Sequence, residues 1–147
     1  MGALRISTDR TELDLGMIHR FLSTQAYWSR GVEREQVGNA IAHSLCFGGY
    51  LEDQQVAFAR MITDYTGFAY LADVFVLPEH RGRGHGIALI EAVMAHPVAR
   101  KVRKFMLTTS DAQGLYAKFG FAELSNPRII MERLRAQPEP VAVSGAV

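Results

Sequence analysis

Val74-Phe75-Val76-Leu77-Pro78-Glu79-His80-Arg81-Gly82-Arg83-Gly84-His85-Gly86 runs from an apolar strand through a proline into a loop with three glycines. The strand begins at Phe68 and is almost continuously apolar to Leu77, as expected where both faces are covered, and Asp73 is its one charge. Pro78 ends it. Ile87 to Met94 then carries apolar residues at helical spacing, so the glycine loop joins a strand to a helix. Such a loop lets backbone N–H groups converge in front of a helix N-terminus, an arrangement that cradles phosphate. The dinucleotide fingerprint wants a further glycine where Ile87 stands, and the nucleoside-triphosphate loop wants a Gly-Lys-Ser/Thr that is absent. Taken alone, a glycine loop is a tight connection about as often as a ligand site.

Working outward, Cys46 to Leu51 and Val56 to Ile62 are apolar runs separated by Glu52, Asp53 and Gln54, which predicts an antiparallel hairpin. Before it, Leu15, Ile18, Phe21 and Leu22 draw one helical stripe, and Val37, Ala40, Ile41, Ser44 and Leu45 draw a second. Tyr27 and Trp28 lie in the link between them, and Leu4 to Ser7 is extended. Beyond the glycine loop, Phe105 to Thr108 is predicted as a strand, Ala112 to Phe119 as a short helix capped by Asp111, and Ile129 to Leu134 as a last strand. Residues 136–147 hold two prolines and little to bury, the pattern of a mobile tail. One domain over residues 1–135 follows, since 147 residues with 48% hydrophobic content suffice for a single core.

Sixteen Lys and Arg against 15 Asp and Glu leave a formal charge of +1, which argues against binding nucleic acid or anionic membrane by bulk attraction. The single Cys46 excludes an intrachain disulfide and suits packing. No run of about 18 apolar residues appears and the N-terminal stretch is charged, so a soluble cytoplasmic protein is expected. His80, His85 and His96 lack ligand spacing, and no metal is expected.

The stretch from Val74 to Gly86, followed about 30 residues later by Gly114-Leu115-Tyr116-Ala117-Lys118-Phe119-Gly120-Phe121, resembles the GCN5-related N-acetyltransferases (GNAT). Arg81, Gly84 and Gly86 meet that family's coenzyme signature, and Tyr116, Gly120 and Phe121 meet its C-terminal motif. The order of elements from Leu4 to Leu134 is similar too. The resemblance implies an α/β domain with a mixed, mostly antiparallel sheet flanked by helices, using acetyl-coenzyme A to acetylate a primary amine by direct transfer.

It also implies roles by position. N–H groups from Gly82 through His85 to Ile87, with Arg81 and Arg83 as cations, would hold the pyrophosphate. Val74, Phe75 and Val76 would offer backbone partners to the pantetheine arm and a donor to the oxyanion. Tyr116 stands where relatives place the acid for the leaving thiolate. Many relatives carry Asn where Thr109 stands, which leaves a hydroxyl for the pantetheine contact.

For the base that takes the amine's proton, Asp73 leads, because a carboxylate in an apolar strand must be paired or open onto a polar cavity; His43 and Glu123 are weaker choices. Tyr27, Trp28 and Tyr70 are candidates for the acceptor pocket, with Tyr65 and Phe68 behind them. The acceptor is a small molecule or a peptide amine, and a homodimer is left open. The basic run Arg100 to Lys104 is either a solvated helix end or a contact for the coenzyme's ribose phosphate. A non-catalytic acyl-coenzyme A sensor or partner-binding module is the alternative, which the intact Tyr116 and glycine loop disfavour.

Overall fold

A computed structural model describes residues 2–135. Five strands order as β1 (Arg5–Ser7), β2 (Leu45–Leu51), β3 (Gln54–Thr63), β4 (Phe68–Val76) and β5 (Lys104–Leu107), each beside the next. All ladders are antiparallel except β4 with β5. That last crossover carries an 11-residue helix, as a parallel connection usually does. The helices are α1 (Leu15–Thr24), α2 (Arg34–Ala42), α3 (His85–Ala95), α4 (Pro97–Lys101) and α5 (Gln113–Ala117). The fold is therefore the α/β domain with a mixed, mostly antiparallel sheet that the sequence predicts.

Two cores sit on opposite sheet faces. On one, the α1 stripe of Met17, Ile18, Phe21 and Leu22 packs on Phe58 and Phe75, with Phe21 and Phe75 stacked at 4.0 Å. The Asp14 carboxylate starts α1 by accepting the Met17 N–H at 3.0 Å. On the other face, Leu89, Ile90 and Val93 of α3 meet Ala57, Ala59, Val74 and Val76.

Residues facing the α3 side of β4 are Ala69 and Leu71, then Val74 and Val76, so the alternation slips by one between them. The slip is a β-bulge: the β3 ladder jumps from Arg60↔Ala72 to Phe58↔Phe75, and Asp73 sits there with φ of 53°. An extra residue in one strand bends it and re-aims its side chains. Without the bulge, Val74 and Val76 would turn to the face that Phe75 fills.

Tyr50 on β2 is 2% exposed and its hydroxyl has no partner among the described residues. Its ring lies over Gly48, where a Cβ would come within 2.8 Å of the Tyr50 Cζ. An orphaned buried hydroxyl destabilises, so Tyr50→Phe is expected to raise stability by up to about 1 kcal/mol. Thermal unfolding checks this, and a clear loss of stability would show that the hydroxyl is bonded in solution.

The structure corrects three expectations. Ile129 to Leu134 forms no strand: Pro127–Ile129 is a 3-10 turn and residues 130–135 join no ladder. Apolar β-formers suggest a strand, but a strand exists only where its backbone pairs with another, and among the described residues this segment pairs with none. Asp111 does not cap α5. That helix starts at Gln113, and the Thr109 hydroxyl accepts the Ala112 N–H at 3.0 Å. Helix α2 stops at Ala42, because Leu45 is taken into the sheet opposite Met61. The basic run was read as either a solvated helix end or a coenzyme contact, and Arg100 and Lys101 do end a helix, the short α4 that the sequence reading did not separate, beyond the end of α3 far from the glycine loop. The proposed mobile tail, residues 136–147, lies outside the described residues. Among those described, no helix is long and apolar enough to cross a membrane.

Candidate active site

Strand β4 outlasts its neighbour. Its parallel ladder with β5 covers Phe68 to Leu71 and ends at Leu71↔Leu107, while β4 continues to Val76. Ala72 to Val76 thus present backbone to an open cleft instead of to a strand. One end of that cleft is a cavity of about 470 Å³ lined by Trp28, Arg60, Asp73, Val74 and Tyr116 among others. The other end is a second cavity of about 370 Å³ lined by Val76, Arg81, Gly82, Gly84 and Gly86. Asp111 and Ala112 line both, so the two are continuous along the diverging strands.

At the second end, Gly82 and Gly84 have φ of 77° and 83°, left-handed values that glycine adopts without strain. The first hydrogen bond closing α3 runs from the Ala88 N–H to the Gly84 carbonyl at 3.0 Å. The N–H groups from Gly82 to Ile87 therefore have no backbone acceptor among the described residues, and they gather at the positive end of an 11-residue helix. Arg81 is tethered beside them, its Nε donating to the Val76 carbonyl at 2.8 Å. Burial holds the Arg81 pKa below its ordinary value. Arg83 and His85 complete the loop, His85 as the first residue of α3.

At the first end, Asp73 is both paired and open to the cavity. Its Oδ2 accepts Arg60 Nε at 2.8 Å and its Oδ1 accepts the Trp28 indole N–H at 2.9 Å. Arg60 also donates to the Ser44 hydroxyl at 3.1 Å. The bulge turns the carboxylate toward both partners. Tyr70 donates to the Thr108 hydroxyl at 2.8 Å, and Tyr27 is bonded to Ser110, so the α1–α2 link and the β5–α5 loop close over the cavity.

Tyr27, Trp28 and Tyr70 all line this cavity, and Tyr65 and Phe68 do not. His43 and Glu123 are also outside it. Thr109 lines it with its hydroxyl already accepting from Ala112, which leaves the O–H free to donate.

Tyr116 is 7% exposed in the wall where the β4 cleft widens. Burial, then the carboxylate of Asp111 and Tyr27, push its phenol up to about 12. Cys46 is buried and its thiol is pushed up to about 11 by that burial, which makes it inert. No group of three or more His, Cys, Asp or Glu among the described residues could hold a metal ion.

Arg60 is the residue the sequence reading missed. A lone arginine within the apolar run Val56 to Ile62 obeys the same burial argument as Asp73 and has the opposite sign, so the pair was there to be matched.

The acetyltransferase (GNAT) domain model matches residues 42–123. A candidate acetyltransferase of Gibberella zeae is 34% identical over 140 residues, covering 80% of this chain and 77% of that protein. The chain belongs to the GNAT acetyltransferase family. The crystal structure of a GNAT-family protein from Xanthomonas campestris superposes with a TM-score of 0.89 at 54% identity, over 92% of this chain and 95% of that one. A more distant candidate acetyltransferase from Clostridium acetobutylicum, solved with acetyl-CoA, shares the fold at 17% identity and a TM-score of 0.65, over 91% and 96% of the two chains. The GNAT match spans α2's end through α5, so it contains the bulge, the glycine loop and Tyr116.

Proposed function

We propose that this GNAT protein moves an acetyl group from acetyl-coenzyme A directly to the primary amine of a small molecule or peptide, in the cytoplasm. The divergence of β4 from β5 carries the reading. It leaves a strand edge free between a loop of unpaired N–H groups and an aromatic cavity, which suits a ligand with an anionic head, an amide-bearing arm and a reactive end.

The N–H groups of Gly82 to Ile87, helped by Arg81 and Arg83, hold the pyrophosphate. The edge of Val74, Phe75 and Val76 pairs with the pantetheine amides and directs a backbone N–H at the thioester carbonyl oxygen. Thr109 adds a hydroxyl to the arm. Trp28, Tyr27 and Tyr70 enclose the acceptor. The neutral amine attacks the thioester carbon, the C–S bond breaks, and the sulfur leaves as thiolate toward the Tyr116 phenol. The amine's proton passes through water to Asp73, whose oxygens each keep a lone pair beyond those used by Arg60 and Trp28.

Calorimetry with acetyl-coenzyme A, paired with thiol release across a panel of amines, tests the proposal. Binding with thiol release on at least one amine is expected. Absence of binding would overturn it, and binding with no release on any amine would leave a sensor.

Asp73→Asn keeps the shape and removes the charge. The Arg60–Asp73 pair is shielded, with side-chain exposures of 15% and 13%. Stability is expected to fall by about 1–3 kcal/mol, because one partner of a mostly buried ion pair is left alone. The folded fraction is expected to lose at least about 10-fold in turnover. Retained turnover in the folded fraction would make Asp73 purely a brace for Arg60 and Trp28.

A further inference from the structure

The charged side chains lining the cavity of about 470 Å³ are Arg60, Asp73 and Asp111. Arg60 is committed, its Nε to Asp73 at 2.8 Å and a terminal nitrogen to the Ser44 hydroxyl at 3.1 Å. Its charge is cancelled by Asp73, and that of Asp111 is left over. Among the described residues no lysine and no other arginine lines the cavity, and residues 136–147 hold no Lys, Arg or His. A carboxylate or phosphate on the acceptor would therefore enter a cavity of its own sign.

Polar groups of the wall are largely engaged as well. Tyr27 and Tyr70 are bonded through their hydroxyls to Ser110 and Thr108. The Ser29 hydroxyl donates to the Leu22 carbonyl at 2.7 Å, and Gln36 Oε1 accepts the Glu33 N–H at 3.0 Å. Tyr27 and Trp28 meet edge to face, with 5.1 Å between ring centroids and 89° between planes, which makes a corner that a third ring can fill. Trp28 is 38% exposed against the described residues, although its bond to Asp73 pins the indole.

Resting on the acetyl-transfer reading of this cleft, we propose that the acceptor is a small arylalkylamine: an aromatic ring on a short chain that ends in a primary amine, with no carboxylate or phosphate. Its ring fills the Tyr27–Trp28 corner. Asp73 is hydrogen-bonded to the indole that forms this corner, so a short chain carries the amine to the carboxylate. An α-amino acid fails there, because its carboxylate sits on the carbon next to its nitrogen and would be pressed against Asp73. An aminosugar fails because its hydroxyls find few free partners. In the transfer, the N–C bond forms as the C–S bond breaks and the proton lost by nitrogen ends on sulfur, giving the N-acetyl arylalkylamide and coenzyme A.

Trp28 is the one tryptophan of the chain, so its fluorescence reads occupancy of this cavity without any turnover. Titrations with phenethylamine, phenylalaninamide and phenylalanine, with and without coenzyme A, are paired with thiol release from acetyl-coenzyme A on the same amines and on glucosamine. Phenethylamine and phenylalaninamide are expected to shift the emission at concentrations at least about 10-fold below phenylalanine, with the same ranking in kcat/KM. Phenylalanine equal to phenethylamine would overturn the proposal. Phenylalaninamide as poor as phenylalanine would do so too, since bulk and not charge would then be excluded. Failure of acetyl-coenzyme A to bind strikes the transfer reading itself. Coenzyme binding with faster thiol release on glucosamine than on phenethylamine, or no emission change with phenethylamine, strikes the arylalkylamine assignment alone.

Discussion

Tyr116→Phe is expected to lower turnover about 10- to 100-fold while coenzyme affinity stays within a few-fold of the parent. The size follows from what a phenol held at about 12 can do. A leaving thiol near the ordinary cysteine value of about 8.5 is the stronger acid, so complete proton transfer from Tyr116 would be uphill by about 5 kcal/mol. The phenol's contribution is thus a hydrogen bond to the departing sulfur. A bond to a charged group contributes about 1.5–3 kcal/mol, which is the range stated. The same shift fixes a pH dependence. Folding raises the Tyr116 pKa above its ordinary 10, so the group contributes stability that is fully present below about 10 and lost as pH climbs through about 12. No limb of the rate profile between pH 6 and about 9 should come from Tyr116, since both folded and free phenol are protonated there. Parental turnover in the variant would return Tyr116 to the core.

Gly84→Val is expected to weaken acetyl-coenzyme A binding by at least about 100-fold, the loss of roughly two charge-assisted hydrogen bonds. A Cβ at Gly84 meets nothing within 4 Å, so no clash within the protein opposes the change. Two other effects do. A φ of 83° strains a non-glycine residue by about 1–2 kcal/mol and more for a β-branched one. The isopropyl group also projects into the cavity at the α3 N-terminus, where phosphate must approach the N–H groups. Gly86→Val is expected to act in the same direction. Calorimetry on folded variants separates strain from obstruction, and unchanged affinity in both would remove the loop from the coenzyme site.

The loop, its helix and the strand before it were legible because each is dictated locally: glycine for left-handed turns, proline for a strand end, a 3.6-residue apolar period for α3. The Tyr116 motif was legible as a resemblance. Less was visible around Asp73. Its strand is apolar on both faces, so the one-residue slip between Leu71 and Val74 left no break in the pattern, and the bulge stayed hidden. Its partner Arg60 lies 13 residues earlier in sequence and is brought close only by the β3–β4 ladder. Asp111 looked like a helix cap because Asp favours that position, yet Thr109 formed the turn first and left the carboxylate facing the cleft.

What the sequence determined by itself was the order of elements from β1 through α3, the burial pattern of α1 and α3, and the place where backbone N–H groups are set free, all of which depend on residues within a few positions of one another. What only the tertiary structure decided was pairing between distant segments: which carboxylate meets which guanidinium, where β4 leaves β5, and whether Ile129 to Leu134 finds an edge. Strand propensity is a property of a segment, but a strand is a property of two, and among the described residues that segment pairs with none.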